Sequence, residues 1–275
     1  MATNQKFGGD WSDKKLSALA GYLAAYGKVL SNTPFKTAYI DAFAGAGSQV
    51  DEDERTYRHG SPLRALDVEP PFDHFFFIDK QADNLASLRK QIESRGHGDK
   101  SIDYLCGDAN GHLRNICSKD WTKHRAVAFL DPFALQIEWE TVKAIASTRS
   151  IDMWFLFPAM AVNRMLTRSS EIDESWEKRL DITFGAATWK DEFYDKEPPD
   201  LFGEQITVKK ERPFKILSNF VTQRLATEFA AVHDEPLILK NSSNTPIFLL
   251  CFACGNEAGA KPAMRIANHI IKTQS

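Results

Sequence analysis

The chain has 275 residues, 43% of them hydrophobic and 26% charged, with a formal net charge of −3. That size suits one well-buried domain or two small ones, and the charge excludes a surface that attracts nucleic acid all over. No apolar run reaches the ~18 residues of a membrane span and residues 1–7 hold no signal-peptide core, so a soluble, cytoplasmic protein is expected.

Residues 12–31 read as a helix capped by Ser12, with Leu16, Leu19, Ala20, Leu23, Tyr26 and Leu30 at helical spacing. Lys14-Lys15 and the basic stretch from Lys209 to Lys215 read as solvated faces or loops. A β-type run from Lys36 to Phe43 ends in a glycine-containing turn, and the polar stretch from Ser48 to His59 reads as a long exposed loop. A second helix starts with Ser61 as its cap and Pro62 in its first position. Then follow a strand from His74 to Asp79, a helix over 81–95, strands from Ile102 to Cys106 and from Arg125 to Leu130, a helix over 139–147, and a strand from Ile151 to Pro158.

Strand and helix therefore alternate, and the strands are apolar enough to be covered on both faces. This pattern predicts a parallel sheet with crossover helices. Periodicity weakens after residue 158, so 159–212 reads as an insertion or lid-like subdomain within a single domain spanning 1–275. Helical character returns over 214–231. Two late strands, Pro236–Leu239 and Pro246–Cys254, with the last antiparallel, and a helix over 260–272 complete a seven-stranded sheet.

Cys251-Phe-Ala-Cys254 has the spacing of a metal or redox pair, but it lies inside an apolar run with no second pair and no nearby His. Buried strand cysteines, packing as small hydrophobes, account for it better. No metal site is expected.

The chemistry-bearing residues collect at strand ends, where an open parallel sheet places its ligand crevice. In Asp41-Ala42-Phe43-Ala44-Gly45-Ala46-Gly47 the glycines allow a tight turn and close backbone approach, and Asp41 can accept a cationic amine. Asp79, ending the next strand, suits hydrogen bonds from both hydroxyls of a ribose. Asp108, followed by Ala109, suits the exocyclic amine of an adenine, or else ends a plain turn after Gly107. Val50 stands where a dinucleotide fingerprint has its third glycine, which argues against NAD. Asp131-Pro132-Phe133 has two readings. Either it holds a planar amine against a ring, or it is an Asp-Pro turn with Phe133 as packing.

Tyr39–Gly47, Gly60–Ala65, Phe77–Asp79, Gly107–Asn110 and Leu130–Phe133 together resemble the bacterial three-Cys-motif partner family, and Trp139, Thr141, Asp152 and Phe157-Pro158 are similar to it as well. The resemblance covers roughly residues 12–166, with a weaker echo in 244–272. It implies a Rossmann-like class I methyltransferase fold, S-adenosylmethionine as cofactor, and association with a separate three-cysteine protein. It supplies no acceptor. The candidate cofactor contacts are Asp41, Phe43, Ala44, Gly45, Gly47, Asp79, Lys80, Asp108 and Ala109, and the candidate catalytic residues are Asp131, Pro132 and Phe133. Amino-methyltransferases carry a second proline in the catalytic motif, where Asp131-Pro132-Phe133-Ala134 has none. Two functions follow as expectations: methyl transfer to a nucleic-acid or peptide acceptor, or a non-catalytic methyltransferase-like module that binds a partner protein or nucleic acid.

Overall fold

A computed structural model describes residues 10–50, 57–168, 170–196, 207–211 and 213–274. The chain begins with α1 (Asp10–Leu30), β1 (Lys36–Asp41), β2 (Ser48–Val50), β3 (Tyr57–His59), α2 (Ser61–Leu66), β4 (His74–Asp79) and α3 (Ala82–Ser94). It continues through β5 (Ile102–Cys106), α4 (Ala109–Cys117), β6 (His124–Leu130), α5 (Trp139–Ser147), β7 (Ile151–Phe157) and α6 (Ala159–Met165). The second half holds α7 (Glu174–Phe184), α8 (Trp189–Phe193), β8 (Tyr194–Lys196), β9 (Thr207–Lys209) and α9 (Pro213–Ala226). It ends with β10 (Ala231–Val232), β11 (Leu237–Lys240), β12 (Pro246–Cys254) and α10 (Glu257–Gln274). No described helix is long and apolar enough to cross a membrane.

The main sheet runs β5-β4-β1-β6-β7-β12-β10, with β11 also paired to β12. Strands β5, β4, β1, β6 and β7 are parallel, and β12 is antiparallel to both of its sides. The α/β class, the mostly parallel Rossmann-like sheet with flanking helices, and the reversed last strand all match the sequence reading. The sheet has eight strands rather than seven because its far edge is broken. His233 still donates to the Phe252 carbonyl at 3.0 Å, but Pro236 has no N–H to offer, and pairing resumes only at Leu237 with Leu250.

Side chains alternate across the pleat and fill two cores. Ile40, Phe76, Ala128, Met153 and Cys251 face one layer, built largely from α4, α5, α7, α8 and α9. Tyr39, Phe77, Phe129, Trp154 and Phe252 face the other, built from α1, α2, α3 and α10. Covering both faces is what allows these strands to be apolar throughout.

Three local expectations change. The polar stretch after residue 47 is a hairpin, with Ser48 opposite His59 and Val50 opposite Tyr57, while residues 51–56 lie outside the described residues. Backbone pairing needs no apolar side chains, so composition did not reveal it. Helix α1 starts at Asp10, which leaves Ser12 inside it. Gly60, not Ser61, is the N-cap of α2. Ser61 is the first helical residue, and its hydroxyl is engaged by Asp41 instead.

The segment after β7 carries helices α6 to α8 and the hairpin β8–β9, paired from Tyr194–Lys209 to Lys196–Thr207. Its aromatic side chains run into the sheet core. Phe184 lies 6.0 Å from Phe157 of β7 and 5.0 Å edge-on to Phe220 of α9, and Phe193 lies 5.7 Å from Phe220. Phe184→Ala is therefore expected to cost about 3–5 kcal/mol, as cavity-forming aromatic truncations do. Scanning calorimetry should show one transition, moved down in temperature. A second, separate transition would contradict a shared core.

Candidate functional site

Strand order reverses direction at β1. From it the chain builds β4 and β5 to one side, then returns to place β6 and β7 on the other. Such a switch point leaves a crevice beyond the carboxyl ends of the two central strands. Asp41 ends β1 there, in register with Phe129 of β6.

Asp41 is fully buried, at 0% exposure. Tyr39 stands on the same face of β1, two residues back, and its hydroxyl donates to Asp41 at 2.9 Å. The amide of Phe43 donates at 3.3 Å, and the Ser61 hydroxyl is also engaged. Burial pushes the Asp41 carboxyl up to about 6, against the opposing pull of Ser61, Tyr39 and the Phe43 amide. The sequence reading has Asp41 accept a cationic amine; within the chain its carboxyl takes hydrogen bonds that fix the turn.

The turn is pinned on both sides. Ala42 donates to the Phe129 carbonyl at 3.0 Å and Ala44 to the Ile78 carbonyl at 2.9 Å. Gly45 sits at φ +62°, and a Cβ added there would meet nothing within 4 Å, so the backbone faces open space. Gly47, at φ +93°, has no such room, because an added Cβ would come within 2.8 Å of Leu88. Phe43 is half-buried and Ala44 buried.

Asp79 ends β4 beside this turn. It accepts from the Gly45 amide at 3.0 Å, the Gln81 amide at 2.8 Å and the Asn84 side chain at 3.0 Å. A carboxylate offers about four acceptor sites, so these bonds leave room for one further hydroxyl rather than the two anticipated. Lys80 is exposed. Asp108 is exposed too and caps α4, accepting from Gly111 at 2.8 Å through Oδ2, while Oδ1 takes no hydrogen bond among the described residues. Ala109 is buried behind it.

Asp131 follows β6, and its Oδ2 takes Lys15 Nζ of α1 at 2.5 Å. Lys15 is only 7% exposed, not part of a solvated face, and it also lies 5.2 Å from the Trp11 ring. It stands four residues before Leu19 and seven before Tyr22, on the buried stripe of α1. A lysine at a core-facing helical position was the available sign. Pro132 is buried, whereas Phe133 is 83% exposed and is not packing. Its amide donates to Gln136 Oε1 at 3.0 Å, and Asn110 reaches across to the Gln136 carbonyl at 2.8 Å, which ties this loop to α4. Glu138 pairs with Arg114 at 2.8 Å.

The turn at 41–47, Asp79, Asp108 and the 131–133 loop thus lie along one edge of the sheet. Cys251 and Cys254 lie elsewhere, buried in β12, and burial pushes the Cys251 thiol up to about 12. Among the described residues, no three His, Cys, Asp or Glu side chains converge as a metal site would require.

No protein-family model matches the chain, and no curated protein matches it. It is similar to the solved structure of a Legionella pneumophila protein, LPL1258, at 15% identity over 80% of this chain and 93% of that one, with a TM-score of 0.44. It is similar to the N-terminal domain of EvdMO1, solved in the presence of SAH and D-fucose, at 9% identity over 86% and 82%, with a TM-score of 0.41. A third likeness is to an S-adenosylmethionine-dependent methyltransferase from Clostridium acetobutylicum, at 12% identity over 88% and 92%, with a TM-score of 0.38.

The raised Asp41 carboxyl has a measurable consequence. A group held above its unfolded value of 3.8 contributes stability that is fully present below that pH and lost as pH rises through about 6. Raising the carboxyl from 3.8 to about 6 corresponds to ~3 kcal/mol. Denaturant unfolding of the wild type and Asp41→Asn at pH 4 and pH 7 should show the wild type losing about that much relative to the variant. A gap between the two proteins that stays constant with pH would contradict this picture.

Proposed function

We propose that the chain binds S-adenosylmethionine at the carboxyl edge of the sheet and transfers its methyl group to a nucleic-acid or peptide acceptor. The observation that carries this reading is the open backbone at Gly45 beside the partly unsatisfied Asp79. An open glycine next to a strand-end carboxylate suits a ribose and the chain attached to it.

In this reading Asp79 accepts one ribose hydroxyl, with Lys80 at the rim, and Asp108 Oδ1 accepts the adenine amine beside Ala109. Phe43, Ala44, Gly45 and Gly47 shape the wall along the methionine portion. Asp41, enclosed behind them, acts through its charge on the cationic end of the ligand. When bound, S-adenosylmethionine supplies an electrophilic methyl carbon on a sulfonium.

The remaining work is positioning. Asp131 Oδ1, without a hydrogen bond among the described residues while Lys15 meets Oδ2, accepts a hydrogen from the acceptor nitrogen. Pro132 fixes the loop, and the exposed ring of Phe133 stacks on a planar acceptor. The motif resemblance supports a separate three-cysteine protein as partner.

A second reading has its own support. Lys15 already occupies Asp131, and the second proline of amino-methyltransferases is missing, which together favour a module that binds without turning over.

Titration calorimetry separates the elements of this proposal. The wild type is expected to bind S-adenosylmethionine and S-adenosylhomocysteine. Asp79→Ala should weaken both about tenfold, the loss of a hydrogen bond to a charged group. Asp131→Ala should leave cofactor affinity within about twofold and abolish transfer to nucleic-acid or peptide pools, since its role is to orient the acceptor. No heat from a folded wild type would contradict the proposal. Cofactor binding with no transfer to any pool would favour the second reading.

A further inference from the structure

At the opposite end of the sheet, beneath the amino ends of β1, β4, β5 and β6, lies a cleft of about 460 Å³. That volume is in the range of small-molecule sites. None of the cofactor or catalytic residues discussed above lines it. Its floor is apolar, formed by the buried Ala38, Phe76 and Trp121.

The rim carries charge of both signs, but its carboxylates are already engaged. Asp73 accepts from Lys36 Nζ at 2.9 Å and from the amide and hydroxyl of Thr37 at 2.8 and 3.0 Å. Asp120 accepts from the amide and hydroxyl of Thr122 at 2.9 and 2.7 Å. Asp103 pairs with the His74 ring at 3.3 Å. The cations are less fully engaged. Among the described residues, Lys119 forms no ion pair, and its ammonium lies 5.0 Å over the face of Phe76. The His124 ring, edge-on to Trp121 at 6.2 Å, has no side-chain hydrogen bond among them, though it lies near enough to Asp120 for the two to interact electrostatically.

We propose that this cleft binds a planar aromatic ring bearing one anionic group, either an aryl carboxylate or a nucleoside monophosphate. The ring lies over the part of Phe76 that Lys119 covers, beside the His74 ring 4.4 Å from Phe76, and against Trp121 in an apolar floor. Lys119 leaves its place over Phe76 and, with His124, takes the anion. The exchange replaces a cation–π contact with a charge-assisted hydrogen bond, the stronger of the two. This site is independent of the cofactor reading.

Equilibrium dialysis with saturating S-adenosylhomocysteine present tests it without involving the other edge of the sheet. The probes are 2-naphthoate and AMP, with 2-naphthylmethanol as the ring without charge and inorganic phosphate as the charge without ring. Binding of either aromatic anion, at least tenfold tighter than both controls, is expected. Which of the two binds identifies the source of the anion. Lys119→Glu, an exposed substitution, should abolish that binding and Lys119→Arg should retain it. The proposal is overturned if neither aromatic anion binds, if the neutral alcohol binds equally well, or if 2-naphthylmethylammonium binds more tightly than naphthoate. Binding unaffected by Lys119→Glu overturns it too.

Discussion

Asp41 is a carboxylate held out of water at the place where the sheet reverses direction, and the geometry of the carboxyl edge depends on it. A buried charge is costly unless hydrogen-bonded. The chain meets that cost locally, with Tyr39 from the same strand face, the amide of Phe43 and the hydroxyl of Ser61 at the start of α2. Those bonds tie three elements together. They bring α2 in beneath the turn and align the backbone so that Ala44 and Gly45 reach Ile78 and Asp79 of the neighbouring strand. The open face at Gly45 is a consequence of that tethering.

The second long-range tie is the Lys15–Asp131 pair, which joins residues 116 apart in the chain. It makes the first helix a component of the candidate catalytic loop. Because Lys15 meets Oδ2 alone, Asp131 is oriented without being fully occupied. On the other side of the loop, Gln136 and Asn110 hold it to α4, so Phe133 is presented to solvent on a fixed support.

Much of the architecture was legible because burial leaves periodic traces. The runs Phe75–Ile78 and Met153–Phe157 are apolar at every position, as strands covered on both faces must be, and the acid that follows the first marked the ligand edge. What stayed hidden depended on partners distant in sequence or on backbone alone. Asp41 is hydrogen-bonded by Ser61, a residue whose own sequence signal pointed to capping a helix. Lys15 looked like half of a surface pair because its acidic partner follows β6, far along the chain. The β2–β3 hairpin is carried by main-chain hydrogen bonds, to which a polar composition gives no clue. The break at Pro236 was visible as a proline, but only the pairing of β10 with Cys254 shows that it splits one edge in two.

In the proposed function the adenosyl ligand lies along the carboxyl edge, between the turn at 41–47 and Asp79. Hydrogen exchange with and without S-adenosylhomocysteine tests it most directly, because amides report position whatever the acceptor is. Slowed exchange is expected at residues 43–47, 79–84 and 108–111, with residues 119–124 at the other end of the sheet unchanged. Protection confined to 119–124, or no protection at 43–47, would contradict it.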